Sequence, residues 1–251
     1  MKNRTFSALT VAAFLAASAA LVGCSKQAPE QGEQKTSAPA SDVIKIGVFQ
    51  PLTGANSAGG ADELEGIKLA NKLYPTALGK KVELVIVDNK SDKVEAANAA
   101  TVLTQKEKVN AVLGSWGSSL SMSGGPIFAE AKIPAVALSA TNPNVTKGNE
   151  YYFRVCFLDP FQGTVGAAYA YNTLKAKKVA IIREVSNDYS VGLTKFFVDN
   201  FVKLTGDDKA VVATADYNTG DQDFSAQLTN IKQHNPDVIF APGNYTESAL
   251  I

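Results

Sequence analysis

Short apolar strand patterns alternate with helical patterns along this chain, and that alternation restricts the fold more than any other feature. The strand patterns cover residues 44–48, 82–87, 109–113 and 134–138, and helical patterns follow the first three at 64–73, 92–106 and 118–131. A repeated strand–helix unit is typical of a parallel sheet with helices on both faces. The sequence therefore predicts an α/β protein with a doubly wound parallel sheet.

The same pattern restarts in the second half of the chain. An extended segment at 151–156 precedes a helix from Asp159 to Leu174, and the strand patterns 179–182, 211–213 and 238–240 alternate with helical stripes at 193–204 and 224–231. The 210 residues from Asp42 exceed a typical domain. We expect two lobes, at 42–156 and 157–251. The second lobe is expected to be incomplete, because the chain stops soon after a helix begins near Thr246.

The first 23 residues have the composition of a signal peptide. Lys2 and Arg4 precede an apolar, alanine-rich segment that is short for a membrane span. Its ending, Leu21-Val22-Gly23-Cys24, resembles a bacterial lipobox, which implies cleavage before Cys24 and a lipid on its sulfur. The alternative is a plain secretory signal with an incidental cysteine. Residues 24–41 are rich in Gln, Glu, Ser, Ala and Pro, which predicts a flexible tether.

The net charge gives no sign of a nucleic-acid partner, and the cysteine content leaves no internal disulfide. Removing residues 1–23 leaves 22 basic and 24 acidic residues, a net charge of about −2, so nothing indicates a nucleic-acid partner. With Cys24 acylated, Cys156 is the remaining cysteine and has no internal partner for a disulfide. Because Cys156 lies in an apolar run, we interpret it as a small core residue.

The stretch at 109–119 is a candidate anion-binding loop. A buried strand at 109–113 leads into Gly114 and Gly117, which allow a sharp turn, and Ser118 or Ser119 is expected to cap the helix that follows. A helix N-terminus presents unpaired N–H groups and a positive partial charge, which suit a carboxylate. The alternative is an ordinary strand-to-helix loop.

Catalytic patterns are missing from the sequence. It has no Gly-x-Ser-x-Gly, Gly-x-x-x-x-Gly-Lys or Gly-x-Gly-x-x-Gly motif, and its single histidine, His234, stands at a predicted helix end. Four aspartates could act as acids or bases, but an aspartate at a strand end or before a helix is more often a cap. These are Asp88, Asp92, Asp159 and Asp188. We expect no enzyme, no metal and no cofactor.

Several spaced motifs resemble the solute-binding proteins of branched-chain amino acid ABC transporters. They are Ser139-Ala140-Thr141-Asn142-Pro143, Tyr152-Phe153-Arg154, Asp159-Pro160-Phe161-Gln162-Gly163, Asn187-Asp188-Tyr189, Gly220-Asp221-Gln222-Asp223-Phe224-Ser225 and Pro242-Gly243-Asn244-Tyr245-Thr246-Glu247. The resemblance runs from about Val43 to the last residue. It implies the type I periplasmic binding protein fold, in which two lobes close on a ligand by a hinge, expected here near residues 156–159.

The resemblance also implies where an amino acid binds. Ser118 matches the serine that holds the ligand carboxylate, and Ser139 and Thr141 match the pair that meets the ammonium and carboxylate groups. Tyr189 and Tyr245 match aromatic residues from the second lobe. We add Gly117, Ala140 and Trp116 to the predicted site, although Trp116 could instead pack beneath the loop. Two departures from the family pattern concern the first loop and a disulfide: Ser57-Ala58-Gly59 stands where relatives often have an aromatic residue, and Ser91 and Gly117 stand where some relatives have a disulfide.

The resemblance implies a lipid-anchored binding protein at the periplasmic or extracellular face of the membrane. It would capture a small amino acid, of the branched-chain or aliphatic type, and deliver it to a membrane permease. Two alternatives stay open at this point. The same fold could bind an amide, a urea or an aromatic acid, or it could act as a ligand sensor that regulates a partner.

Overall fold

The computed structural model describes residues 42–251, which form two sheets with helices on both faces. The predicted α/β class is therefore confirmed. The signal peptide (1–23), the tether (24–41) and the lipid site at Cys24 lie outside the described residues.

The first sheet has six strands in the order β2-β3-β1-β4-β5-β6, and every pairing is parallel except that of β2 with β3. Its strands are β1 (Val43–Gln50), β2 (Thr76–Ala77), β3 (Lys80–Asp88), β4 (Ala111–Leu113), β5 (Ala135–Ala137) and β6 (Tyr152–Arg154). Its helices are α1 (Ser57–Leu73), α2 (Lys93–Thr101) and α3 (Ser118–Ala131). The chain order of the strands reverses between β1 and β4, where parallel α/β sheets commonly bind ligands.

Consecutive side chains of β1 point to opposite faces of the sheet, and both are apolar, so helices cover both faces. Val48 packs with Leu64 and Ile67 of α1. Its neighbour Phe49 points to the other face and joins a buried cluster that includes Ala96 of α2 and Phe128 of α3. Since consecutive strand residues are buried on opposite faces, neither face of β1 is left to solvent.

The second sheet has three parallel strands in the order β8-β7-β9. Its strands are β7 (Val179–Glu184), β8 (Val211–Tyr217) and β9 (Val238–Phe240), and its helices are α4 (Asp159–Ala168), α5 (Asp188–Thr205), α6 (Ser225–Gln233) and α7 (Tyr245–Ser248). Ile181 is buried with Phe197 of α5. Ile182 is buried with Ile231 of α6 on the other face. The second half of the chain is thus wound like the first.

The structure differs from the sequence-based expectations in a few places. The short strand β2 was not predicted, and the helix expected at 92–106 becomes a π-helical turn at Val102–Lys106. A similar turn, Tyr169–Thr173, ends the helix that starts at Asp159.

The prediction that Cys156 is a core residue is wrong, since Cys156 is only half-buried between exposed Val155 and Phe157. His234 is the exposed C-cap of α6, as predicted. Within residues 42–251, no helix combines the length and the apolar character that a membrane crossing requires.

Candidate ligand-binding site

The loop after β4 depends on two glycines. Gly114 has a φ of +113°, and a Cβ atom there would lie 2.4 Å from the carbonyl oxygen of Phe49. Gly117 has a φ of +89° and is the N-cap of α3. Both conformations are rare for residues with a side chain. The predicted sharp turn is confirmed.

The prediction that Ser118 or Ser119 caps α3 is wrong. Gly117 occupies the cap position without a side-chain bond, so both serines fall inside the first helical turn. Their hydroxyls find tertiary partners instead. Ser118 Oγ accepts the N–H of Asn142 at 3.1 Å, and Ser119 Oγ is shared with Asp188. The N–H groups of Ser118, Ser119 and Leu120 donate no hydrogen bond within residues 42–251. Free N–H groups at a helix start are suited to an anion.

A cleft of about 900 Å³ opens in front of this helix start. It is lined by loops that follow the carboxyl ends of strands from both sheets, including the segments after β4, β5, β7, β8 and β9. Its volume lies within the usual range for small-molecule sites. Seven of the eight residues that the sequence placed in the site line the cleft: Trp116, Gly117, Ser118, Ser139, Thr141, Tyr189 and Tyr245. Ala140 does not, because it is buried and its carbonyl oxygen accepts Arg154 Nη1 at 2.7 Å.

Trp116 forms part of the cleft wall and packs against Gly59. A Cβ atom on Gly59 would lie 2.4 Å from the Trp116 indole, so the small residue in the first loop makes room for this side chain. The indole also faces Tyr245, with ring centroids 5.8 Å apart. The loop after β4 therefore places an aromatic side chain against the small residues of the first loop.

The opposite wall carries Tyr189 and Glu184. Tyr189 Oη accepts Gln162 Nε2 at 2.9 Å, and burial raises the pKa of this tyrosine. Glu184 is 1% exposed, and its carboxylate accepts hydrogen bonds from Asn187 Nδ2 at 2.9 Å and from Thr219 Oγ1. This wall thus combines an aromatic surface with a buried, hydrogen-bonded carboxylate.

Direct bonds join the two walls of the cleft. Ser119 Oγ donates to Asp188 Oδ2 at 2.8 Å and accepts the backbone N–H of Asp188 at 2.9 Å. Lys93 Nζ lies 3.0 Å from the same carboxylate, and these bonds lower the pKa of Asp188 despite its partial burial. On the other side, Tyr245 Oη accepts the N–H groups of Ala58 and Gly59 at 3.1 and 3.3 Å.

The four aspartates considered as acids or bases have different structural roles. Asp92 caps α2 by accepting the N–H groups of Val94 and Glu95, as predicted. Asp88 organises the loop after β1, and its hydrogen bonds lower its pKa. Asp159 is fully buried and its carboxylate has no hydrogen-bond partner in the described part of the chain. Burial therefore raises the pKa of Asp159, and nearby Thr141 and Arg154 offset only part of that effect.

Sequence reasoning missed two polar residues behind the cleft. Gln50, at the end of β1, is fully buried and bridges the backbone of Trp116 and the carboxylate of Glu63. Glu63 also accepts the hydroxyl of Ser139. A glutamine that closes an apolar strand is a detectable signal, whereas Glu63 looks like any polar residue of an amphipathic helix. In residues 42–251, no group of three or more His, Cys, Asp or Glu residues is placed to hold a metal ion.

This fold and site define a class of protein, because two α/β lobes contribute loops to one cleft at the carboxyl ends of their strands. Residues 43–249 match the family model described as periplasmic binding protein. The chain therefore belongs to the periplasmic binding protein family, as the sequence motifs predicted. Membership of that family implies an extracytoplasmic location.

Individual relatives refine the comparison. An amino acid binding protein of Pseudomonas aeruginosa is 33% identical over 212 residues, which cover 83% of this chain and 55% of the relative. The crystal structure of a leucine binding protein LivK from Thermotoga maritima is 46% identical, with a TM-score of 0.79 over 82% of this chain and 58% of that one. The substrate binding protein LivJ of a branched-chain amino acid transporter from Streptococcus pneumoniae, in complex with isoleucine, is 34% identical with a TM-score of 0.75 over 83% and 59%.

Not every similar structure holds an amino acid. A solute binding protein of an ABC transporter from Rhodopseudomonas palustris, in complex with 4-hydroxybenzoate, is 30% identical with a TM-score of 0.70 over 80% of this chain and 54% of that one. The chain spans about half the length of the curated relatives it matches, 55% and 56% for the first two. The family is thus established, and the ligand has to be argued from the site.

Proposed function

We propose that this chain belongs to an extracytoplasmic solute-binding protein of an ABC importer, which captures a small branched-chain or aliphatic amino acid between two lobes. The proposed lobes comprise residues 42–156 and 157–251. The function is binding and delivery to a membrane permease, and the match to a binding-protein family rather than to an enzyme family supports it.

The observation that carries the proposal is the unpaired start of α3 within the cleft. The N–H groups of Ser118, Ser119 and Leu120 have no acceptor in the described chain, and all three residues line the cavity. A ligand carboxylate would satisfy these donors and interact favourably with the helix dipole. Ser139 and Thr141 lie on the neighbouring loop and are available to the same head group.

Membrane attachment and the permease partner are part of the proposal. The sequence Leu21-Val22-Gly23-Cys24 supports a lipid on Cys24, and residues 24–41 would then tether the lobes to the membrane. The names of the related proteins support delivery to a branched-chain amino acid transporter.

Calorimetric titration of the full-length protein tests the ligand class. Leucine, isoleucine and valine should be compared with 4-hydroxybenzoate, acetamide and urea under one set of conditions. We expect at least one branched-chain amino acid to bind with one-to-one stoichiometry, and at least about ten-fold more tightly than 4-hydroxybenzoate, acetamide and urea, which have no ammonium group. Tighter binding of the aromatic acid, the amide or the urea would replace the proposed ligand by that class.

A further inference from the structure

A chain of hydrogen bonds runs behind the cleft from the loop after β4 to the loop after β5. The N–H of Trp116 donates to Gln50 Oε1 at 2.7 Å, and Gln50 Nε2 donates to Glu63 Oε2 at 2.7 Å. The other carboxylate oxygen of Glu63 meets the hydroxyl of Ser139. Gln50 is fully buried and Glu63 is partly buried, whereas Ser139 lines the cleft. The polar chain therefore ends at a group that a ligand can touch.

The backbone N–H of Trp116 determines the direction of every hydrogen bond in this series. A backbone N–H can only donate, so the oxygen of the Gln50 side chain must face Trp116 and its NH₂ group must face Glu63. An ionised carboxylate can only accept, so Glu63 accepts from both Gln50 and Ser139. The hydroxyl hydrogen of Ser139 is consequently directed at Glu63. Only the lone pairs of Ser139 Oγ remain for the cleft.

We propose that Glu63 is a positioning residue that makes Ser139 Oγ an obligatory hydrogen-bond acceptor for the ammonium group of the ligand. This inference rests on the proposed function and adds the basis of its selectivity. A ligand with an α-amino group gains a charge-assisted hydrogen bond at Ser139. An acid without that group leaves the oxygen unpaired, so the cleft distinguishes an amino acid from the corresponding carboxylic acid.

The ionisation of Glu63 controls this arrangement. Burial raises the pKa of Glu63 above its ordinary value, and the hydrogen bonds from Ser139 and Gln50 offset part of that effect. Tyr152 and Cys156 are the titratable neighbours whose charges couple to Glu63, and burial raises the pKa of each. Both therefore stay neutral between about pH 5 and 8. As the pH falls through the pKa of Glu63, its protonated carboxyl can donate to Ser139 Oγ, and the affinity for an ammonium ligand should fall.

The substitution Glu63→Gln reverses the polarity of the chain without removing it. Gln50 still donates to the side-chain oxygen at position 63, so the new NH₂ group must donate to Ser139 Oγ and turn the hydroxyl hydrogen toward the cleft. We expect the affinity of the full-length protein for leucine to fall about ten- to a hundred-fold. The affinity for 4-methylpentanoate, which is leucine without its amino group, should not fall. The decline of leucine affinity on acidification should also disappear.

Two further variants complete the test. Glu65→Gln makes the same change two residues further along α1, where Glu65 is exposed and paired with Lys68, and it should leave both affinities unchanged. Ser139→Ala should lower leucine affinity on a similar scale. In the double variant, Glu63→Gln should then have no additional effect on leucine affinity, because its influence passes through Ser139.

The outcomes separate this inference from the proposed function. If the wild-type protein binds leucine but Glu63→Gln leaves that affinity intact, or weakens leucine and 4-methylpentanoate equally, the positioning role is wrong and the function stands. Additive losses in the double variant would also contradict it. If the wild-type protein binds no amino acid at all, the proposed function fails and this inference fails with it. Should Glu63→Gln not fold, the leucine and 4-methylpentanoate affinities of Ser139→Ala decide the question by the same criterion.

Discussion

Ser118, in the first turn of α3, carries a hydroxyl group that can serve both the fold and a ligand. Its oxygen accepts the backbone N–H of Asn142 at 3.1 Å, which ties the loop after β5 to the helix. Its hydroxyl hydrogen has no acceptor in the described part of the chain, although the residue lines the cleft. The Ser118 side chain can therefore connect the loop after β5 to α3 and still donate a hydrogen bond to a ligand.

Replacing Ser118 by alanine should consequently affect both stability and binding. The N–H of Asn142 loses its acceptor in a buried position, which should lower the free energy of unfolding by about 1–3 kcal/mol. A ligand carboxylate loses one charge-assisted bond, which should weaken leucine binding about ten- to a hundred-fold. Chemical denaturation and calorimetric titration of the full-length variant measure the two effects.

Ser123→Ala is the matched control on the same helix. Its hydroxyl donates to the carbonyl oxygen of Ser119 one turn earlier and does not reach the cleft. This variant should keep its leucine affinity. If Ser118→Ala loses stability but binds leucine as tightly as the wild type, Ser118 belongs to the fold and not to the site.

The residues of the site differed in how far the sequence could predict them. Ser118, Thr141 and Tyr189 match positions of a family that the sequence resembles, and all three line the cleft. Their roles in binding stay predictions. Glu63 belongs to no such motif, because its role depends on a hydrogen bond with Ser139, 76 residues later in the sequence. Pairings of this kind depend on how the loops of separate strands meet. Local patterns describe each loop alone.

Among the secondary-structure elements, α4 and α5 make a contact that depends on one small residue. A Cβ atom on Gly163 of α4 would lie 2.6 Å from Phe196 Cβ and 2.8 Å from the backbone nitrogen of Phe197. The two helices therefore touch backbone to backbone at this position. Phe197 and Phe201 of α5 lie in the buried cluster of the second sheet, so this close approach brings the helix onto its core.

Two glycine-to-alanine substitutions in helices should have opposite effects. Gly163→Ala should lower the free energy of unfolding by about 1–3 kcal/mol, because the added methyl group overpacks the contact with α5. Gly66→Ala in α1 has no atom within 4 Å of the new methyl group and should raise it by about 0.5–1 kcal/mol. Chemical denaturation of both full-length variants measures the difference. A neutral or stabilising Gly163→Ala would show that α4 and α5 can separate at little cost.

The sequence predicted elements better than it predicted their ends. Apolar periodicity located α5, because its buried residues Leu193, Phe197 and Phe201 recur at helical spacing and face a core. The strand β2 was missed, since its two exposed residues pair only at the edge of the sheet and leave no apolar pattern. The π-helical turns at Val102–Lys106 and Tyr169–Thr173 were also missed, because a change in helical hydrogen bonding keeps the same residues buried.

At the scale of the whole molecule, one covalent connection joins the first sheet to the second within residues 42–251. The N–H of Val155 still bonds to Ala137 of β5, and the N–H of Asp159 bonds to the carbonyl of Thr141. Between them, residues 156–158 donate no backbone-to-backbone hydrogen bond in the described chain. A few such residues can absorb the dihedral changes of hinge closure. The hinge that the family resemblance implies near residues 156–159 would fall in this segment, and it stays a prediction.

The hydrogen bonds and the ion pair across the cleft are interactions that would stabilise a closed form. Asp188 is bonded to Ser119 and paired with Lys93 on one side, and Tyr245 accepts hydrogen bonds from the start of α1 on the other. These contacts are polar and partly exposed, so each contributes little by itself. A ligand that contacts both walls would shift the equilibrium between open and closed forms by the difference in its affinity for the two.

Small-angle X-ray scattering of the full-length protein, with and without saturating leucine, tests the central claim that an amino acid is captured between two lobes. Our account predicts a smaller radius of gyration with leucine and no change with 4-hydroxybenzoate at the same concentration. Leucine that binds by calorimetry yet leaves the radius of gyration unchanged would contradict capture by closure of the two lobes.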